Sequence, residues 1–155
     1  MKQRITILSA LLCAVLLTAG CGETKTISLS ASSMADTLRE KEAFTDQLEK
    51  VDADTVYALY PLNADQVAEQ SVYVSTGATA EEIAVFAGKD AESAKQIEQA
   101  VQKRLKTQKD GFADYLPAEM DKLNQAVVVT EGQYVIFCVA NDADQVRSVI
   151  DSFLS

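Results

Sequence analysis

Six consecutive residues, Tyr134-Val135-Ile136-Phe137-Cys138-Val139, are apolar at every position, and no other stretch constrains the fold as much. Side chains of an extended strand alternate between two faces, so a strand in a sheet with one wet face alternates apolar and polar residues. This one does not alternate, and neither does Val127-Val128-Val129. Both strands are expected to be central and covered on both sides, with a helix near the N-terminus as the second cover. The alternative is an exposed apolar patch that meets a partner or a second copy.

The surrounding pattern repeats. Residues 71–75 (SVYVS) read as a strand, 76–79 as a turn and 82–87 (EIAVFA) as a second strand. Asp90 is a good N-cap for a long helix with Ala94, Ile97, Val101, Leu105, Gln108 and Phe112 at steps of three and four. Leu116 before Pro117 stops it, and Pro117 can open a short helix through Met120 and Leu123. Residues 126–130 and 133–140 then read as strands joined by a turn at Glu131-Gly132, and Asn141 or Asp142 caps a final helix from Ala143 to Phe153. Strand–strand–helix thus occurs twice, and short connections favour hairpins. The expectation is an α+β fold, a mostly antiparallel sheet of four or five strands with the two following helices on one face. Upstream, residues 34–49 are expected to be a helix capped by Ser32 or Ser33. Residues 55–60 (TVYALY) are expected to be a strand, with Asn63 or Asp65 opening a helical turn.

The first residues have a different character. Met1-Lys2-Gln3-Arg4 is basic, residues 5–17 are apolar, and Ala19-Gly20 precede Cys21. The apolar run is shorter than the ~20 residues that cross a hydrocarbon core, so it reads as an export signal. A cysteine after small residues makes it a lipoprotein signal, cut between Gly20 and Cys21, with a diacylglyceryl group on the Cys21 thiol. The expected organisation is a signal peptide over 1–20, a lipidated cysteine and flexible tether over 21–33, and one domain over 34–155. The expected location is the extracytoplasmic face of the cell membrane.

Composition narrows the function classes. There are 23 acidic against 14 basic side chains and a formal charge of −9. Lys2 and Arg4 leave with the signal, so the remainder is more acidic still. Nucleic acid is disfavoured, because its phosphates reward clustered Lys and Arg. The chain has no histidine, which removes histidine-based triads and the commonest zinc ligand. Of three cysteines, Cys13 leaves with the signal and Cys21 is alkylated. Cys138 then stands alone in an apolar strand, as a small buried hydrophobe.

Carboxylate pairs are the first candidates for chemistry: Glu81 with Glu82, Asp52 with Asp54, and Asp142 with Asp144. Such pairs can do acid–base work or hold calcium. The glycine and glutamate spacing of a calcium loop is missing, and Asp142 and Asp144 suit a helix first turn. Ser75-Thr76-Gly77-Ala78-Thr79 is a hydroxyl-rich loop of a kind that can cradle an anion. Ser75, Thr76, Gly77, Thr79, Glu81 and Glu82 are therefore the expected ligand loop. Lys103, Arg104, Lys106 and Lys109 form a basic cluster, a solvated helix face or a contact for acidic envelope polymer or headgroups. Tyr57, Tyr60, Tyr73, Tyr115 and Tyr134 line a groove or edge the core. No cofactor or metal is expected.

The segments VYVSTGATAEEIAVF, DYLPAEM and NQAVVVTEGQYVIFCVANDAD resemble the bacterial lipoprotein family called domain of unknown function 4358. The likeness covers most of residues 50–154. It implies a Gram-positive cell-surface lipoprotein and brings no reaction, ligand or catalytic residue. The expected function is a non-enzymatic binding or interaction domain on a membrane anchor, with an envelope protein or polymer as partner. The alternative is an envelope enzyme using carboxylate or Ser/Lys chemistry near residues 75–82.

Overall fold

A computed structural model describes residues 30–155. The expected signal peptide, Cys21 and most of the expected tether lie outside the described residues. Five helices and a five-stranded antiparallel sheet make an α+β fold. The elements are α1 (Ala31–Arg39), β1 (Glu49–Lys50), α2 (Ala53–Leu59), β2 (Val67–Val74), β3 (Glu82–Gly88), α3 (Ala91–Tyr115), α4 (Met120–Asn124), β4 (Val127–Glu131), β5 (Tyr134–Val139) and α5 (Ala143–Leu154). Single 3-10 turns at Ala64–Gln66 and Pro117–Glu119 precede β2 and α4.

The sheet order is β1-β2-β3-β5-β4, each neighbour antiparallel. β3 and β5 are buried along their whole length, which explains their unbroken apolar sequence. Ile83, Val85, Ile136 and Cys138 meet α1 and α5 on one face. Ala84, Phe86, Val135 and Phe137 meet Val56, Tyr60, α3 and Leu123 on the other. The N-terminal helix is indeed a second cover. Two expectations about the sheet and its cover need correction. β4 is an edge strand, half-buried at Val128 and Val129. The helices after the two hairpins do not share a face: α3 covers one and α5 the other. The start of α5 is drawn to the α1 side because the amides of Asn141 and Asp142 both donate to the Ala43 carbonyl, at 2.9 and 3.1 Å.

Local chemistry explains most boundaries. Asp52, Asp90 and Asp142 cap α2, α3 and α5 through their carboxylates. The β4–β5 turn places Gly132 at φ 58°, the first central position of a two-residue hairpin loop, where glycine is favoured. α1 begins at Ala31 on Ser30 rather than at residue 34 and ends at Arg39 rather than near 49. Its N-terminus is seated on β2, where the Glu69 carboxylate accepts from Ser30 Oγ at 3.0 Å and Ser32 N at 3.3 Å. Burial raises the Glu69 carboxyl, but the Ala31 and Ser32 amides outweigh it and hold it below its ordinary range. Residues 55–59 belong to a helix, not a strand, and Tyr60 is its C-cap. Val56 and Tyr60, one helical turn apart, face the core, whereas their β-branched and aromatic composition suggested a strand.

β3 ends under the first turn of α3. A Cβ on Gly88 would stand 2.8 Å from the Ala94 backbone nitrogen and 3.1 Å from the Asp90 carbonyl. Both obstacles are main chain, so the helix itself would have to shift. Gly88→Ala is expected to cost about 1–3 kcal/mol, the range for overpacking. Denaturant titration checks this, and an unchanged midpoint would show that α3 is not held so close.

Candidate functional site

The most polar part of the interior is the head of β3. Successive side chains of an extended chain point to opposite sides, so Glu81 and Glu82 diverge although adjacent. Each is about 1% exposed. A buried carboxylate is costly unless paired and hydrogen-bonded, and each has collected its own donors.

Glu82 points toward α3. It accepts from Arg104 Nη2 at 2.7 Å, from Gln108 Nε2 at 2.8 Å and from the Tyr60 hydroxyl. Tyr60 also packs edge-on against Phe86, with ring centroids 5.1 Å apart. Burial, reinforced by the Glu82 charge, pushes the Tyr60 hydroxyl well above its ordinary value. Burial alone would lower Arg104, but Glu82 more than compensates and raises it.

Glu81 points toward the chain after α1. It accepts from the amides of Thr45 and Asp46, both at 2.8 Å, from the Thr45 hydroxyl at 2.7 Å and from Lys122 Nζ at 2.9 Å. Lys122 also pairs with Glu119 Oε2 at 3.2 Å, and the same oxygen accepts from the Ala80 amide at 2.9 Å. Burial depresses Lys122, and the two carboxylates reverse the effect and raise it.

The hydroxyl-rich loop closes this network. Ser75 Oγ accepts from the amides of Gly77 and Thr79, at 3.2 and 3.0 Å, and donates to Asp46. Thr79 Oγ1 donates to Asp46 at 3.3 Å and accepts from the Glu81 amide at 3.2 Å. The Ser75 hydroxyl holds the Asp46 carboxyl below its ordinary range, against a smaller contribution from burial. Of the expected ligand loop, Ser75, Thr79 and Glu81 thus share one network. Thr76 and Gly77 stand at its exposed tip, with Gly77 at φ 100°. Glu82 is on the opposite face. The amides of Gly77 and Thr79 are already engaged within the loop.

Chemically, the arrangement ties elements together. The oxygens of Glu81 and Glu82 are each met by several donors, which leaves neither set up to take a proton from a substrate or to ligate a metal. Among the described residues no three Asp, Glu or Cys side chains are grouped to hold a metal ion. Asp52 and Asp142 serve as caps. The basic cluster is divided: Arg104 turns inward to Glu82 and Lys106 pairs with Asp110. Lys103 lines a groove between α3 and the Ala64–Gln66 turn. The tyrosines separate likewise. Tyr60 is buried beside α3, Tyr73 and Tyr134 lie beneath α1 and α5, and Tyr115 is 74% exposed. Cys138 is fully buried, and burial together with the Glu82 charge pushes its thiol far up, the opposite of a reactive cysteine.

One concave surface was not legible in the sequence. A groove of about 340 Å³ runs between the Ala64–Gln66 turn and α3, lined by Pro61, Leu62, Asn63, Gln66, Gln96, Gln99, Ala100 and Lys103. Its walls come from segments about 30 residues apart, joined by a Gln66–Gln96 side-chain hydrogen bond. Single surface glutamines carry no signal of this kind.

Residues 41–140 match the family described as a domain of unknown function, DUF4358. The chain belongs to this family. The matched span contains both carboxylate networks and every strand of the sheet. Within the DUF4358 domain two of the three segments that carry the resemblance, VYVSTGATAEEIAVF and DYLPAEM, touch directly through the Ala80–Glu119 hydrogen bond. Among curated proteins and among solved structures none matches the chain. No described helix is long and apolar enough to cross a membrane.

Proposed function

We propose that this DUF4358 protein is a lipoprotein of the cell envelope, held on the extracytoplasmic face of the cell membrane by a diacylglyceryl thioether on Cys21. We further propose that its folded domain binds or docks rather than catalyses. The leader carries the reading: a basic start, an apolar run too short to span, and Ala19-Gly20 before Cys21. Two acyl chains anchor far more firmly than one. The described fold begins at Ala31, ten positions after Cys21. A chain that short keeps the domain within roughly 35 Å of the lipid even when fully extended. The binding reading is supported by the internal use of Glu81 and Glu82, which disfavours carboxylate chemistry near residues 75–82. The exposed tip at Thr76-Gly77 and the amide-lined groove are the surfaces left to a ligand or an envelope polymer.

Cys21→Ser tests the anchor. The wild-type protein is expected in the membrane fraction, partitioning into detergent, with a mass that shows cleavage before Cys21 and an added diacylglyceryl group. The variant is expected to lose the modification and to keep its leader. Equal detergent partitioning by a variant freed of its leader would overturn the lipid anchor.

A further inference from the structure

The two edges of the sheet are protected very differently. On the β2 side, β1 pairs with Tyr73 and Val74, and the Val51 amide donates to the Val72 carbonyl. Further along, the β2–β3 ladder carries an irregularity between Val67 and Glu69, and the Glu69 side chain is tied to α1. These are the usual devices that blunt an edge. The β4 edge has none of them. Val127-Val128-Val129-Thr130-Glu131 contains no proline and no lysine, and its register with β5 is unbroken.

The hairpin geometry shows which main-chain groups are open. Glu131 pairs with Tyr134 across a two-residue loop, so these two form a hydrogen-bonded pair. Alternation then turns Glu131, Val129 and Val127 toward β5, and Val128 and Thr130 away from it. Among the described residues no hydrogen bond is made by the amide or carbonyl of Val128 or Thr130 outside the sheet ladder. Half-buried apolar side chains flank this edge on both faces. Val129, Val149, Phe153 and Leu154 lie on the α5 side, and Val128, Ala126 and Met120 on the other.

We propose that β4 is a docking edge for a second copy of this chain, two β4 strands pairing antiparallel about a two-fold axis at Val129. The occupant follows from self-complementarity. In this register Val128 and Thr130 of one copy face Thr130 and Val128 of the other. Both open amides and both open carbonyls of each strand are then satisfied, giving four main-chain hydrogen bonds. Val129 faces its own copy, and Glu131 faces Val127, so the acidic residues never oppose each other. Any even shift of register pairs fewer residues and leaves an open group unmet. Any odd shift sets open groups against groups already committed to β5. A two-fold contact of this kind closes on itself, which separates it from open-ended strand addition, and it builds a ten-stranded sheet. An isolated pair of short strands is weak, and the flanking apolar shoulders supply the remaining burial.

The test uses the full chain in detergent, with its mass followed by light scattering as concentration rises. Wild-type protein is expected to pass from monomer to dimer. Thr130→Pro removes one outward amide without touching the β4–β5 ladder, since edge strands accept proline at such positions, and it is expected to stay monomeric with an unchanged circular dichroism spectrum. If that variant does not fold, Thr130→Lys, which places a charge at the exposed position opposite Val128, decides instead. Val129→Cys is expected to form a disulfide-linked dimer on mild oxidation, beyond any linkage in a wild-type control. A wild-type protein that remains monomeric up to about 1 mM, the weak end of specific association, overturns the proposal. So does a dimer that survives whichever Thr130 variant folds, or a dimer that Val129→Cys does not trap.

Discussion

Glu82→Ala is expected to destabilise the domain by about 3–5 kcal/mol, the cost of leaving one partner of a buried ion pair uncompensated. The substitution leaves the Arg104 guanidinium, whose side chain is 17% exposed, without its carboxylate. It also strips the acceptor from the fully buried Tyr60 hydroxyl. Gln108 loses its one bonded contact at the same time, since its Oε1 already has no partner in the structure. A domain of ordinary stability has about 5–15 kcal/mol in total, so the loss takes roughly a fifth of it or more. Denaturant titration measures the effect, and hydrogen exchange in the middle of α3 localises it. A double change, Glu82→Leu with Arg104→Met, is expected to recover much of the loss, because an apolar pair of similar volume removes both charges. If Glu82→Ala costs under ~1 kcal/mol, the pair is screened by solvent and contributes as little as a surface bridge.

Glu81→Ala is expected to cost a similar ~3–5 kcal/mol through a different set of atoms. The amides of Thr45 and Asp46 and the Thr45 hydroxyl lose their acceptor, and Lys122 is left with Glu119 alone of its two carboxylates. Exchange protection should collapse at Thr45 and Asp46 while the α3 amides stay protected, the reverse of the Glu82 variant. The two glutamates are chain neighbours but share no partner, so the coupling in the double variant is expected at the low end for neighbouring residues, about 0.5 kcal/mol. A coupling larger than that would show that the two networks communicate through the strand. Acid should expose the neighbouring contacts as well. Glu69 and Asp46 are held below their ordinary values, so their contribution is complete above the unfolded carboxylate range. It is lost as the pH falls through their lowered folded values.

The sequence marked many elements but not their depth or their partners. Capping chemistry marks Asp90, and narrows the last cap to Asn141 or Asp142, because a cap is a contact between residues two or three apart; the structure uses Asp142. The same chemistry is present at Asp52, but Thr55-Val56-Tyr57 reads locally as a strand. The four-residue spacing of Val56 and Tyr60 was the signal that would have found the helix. The end of α1 had no local signal. Residues 40–48 leave the helix because Glu81, 36 residues from Thr45, captures their amides, and because Ala43 receives the amides of Asn141 and Asp142. The glutamate pair was visible as a pair, but its meaning depended on Tyr60, Thr45, Arg104 and Lys122, which only folding assembles.

What the amino-acid order determined alone was local: the hairpins, the helix caps, the turn at Gly132, and the need to cover β5 on both faces. Each follows from contacts within a few residues or from a two-residue period. The tertiary structure decided the rest. It set the strand order that leaves β4 at an edge, the opposite placement of α3 and α5, and the donors that meet each buried carboxylate. Those outcomes depend on which distant groups satisfy one another when water is excluded, and no window along the chain contains both members of such a pair.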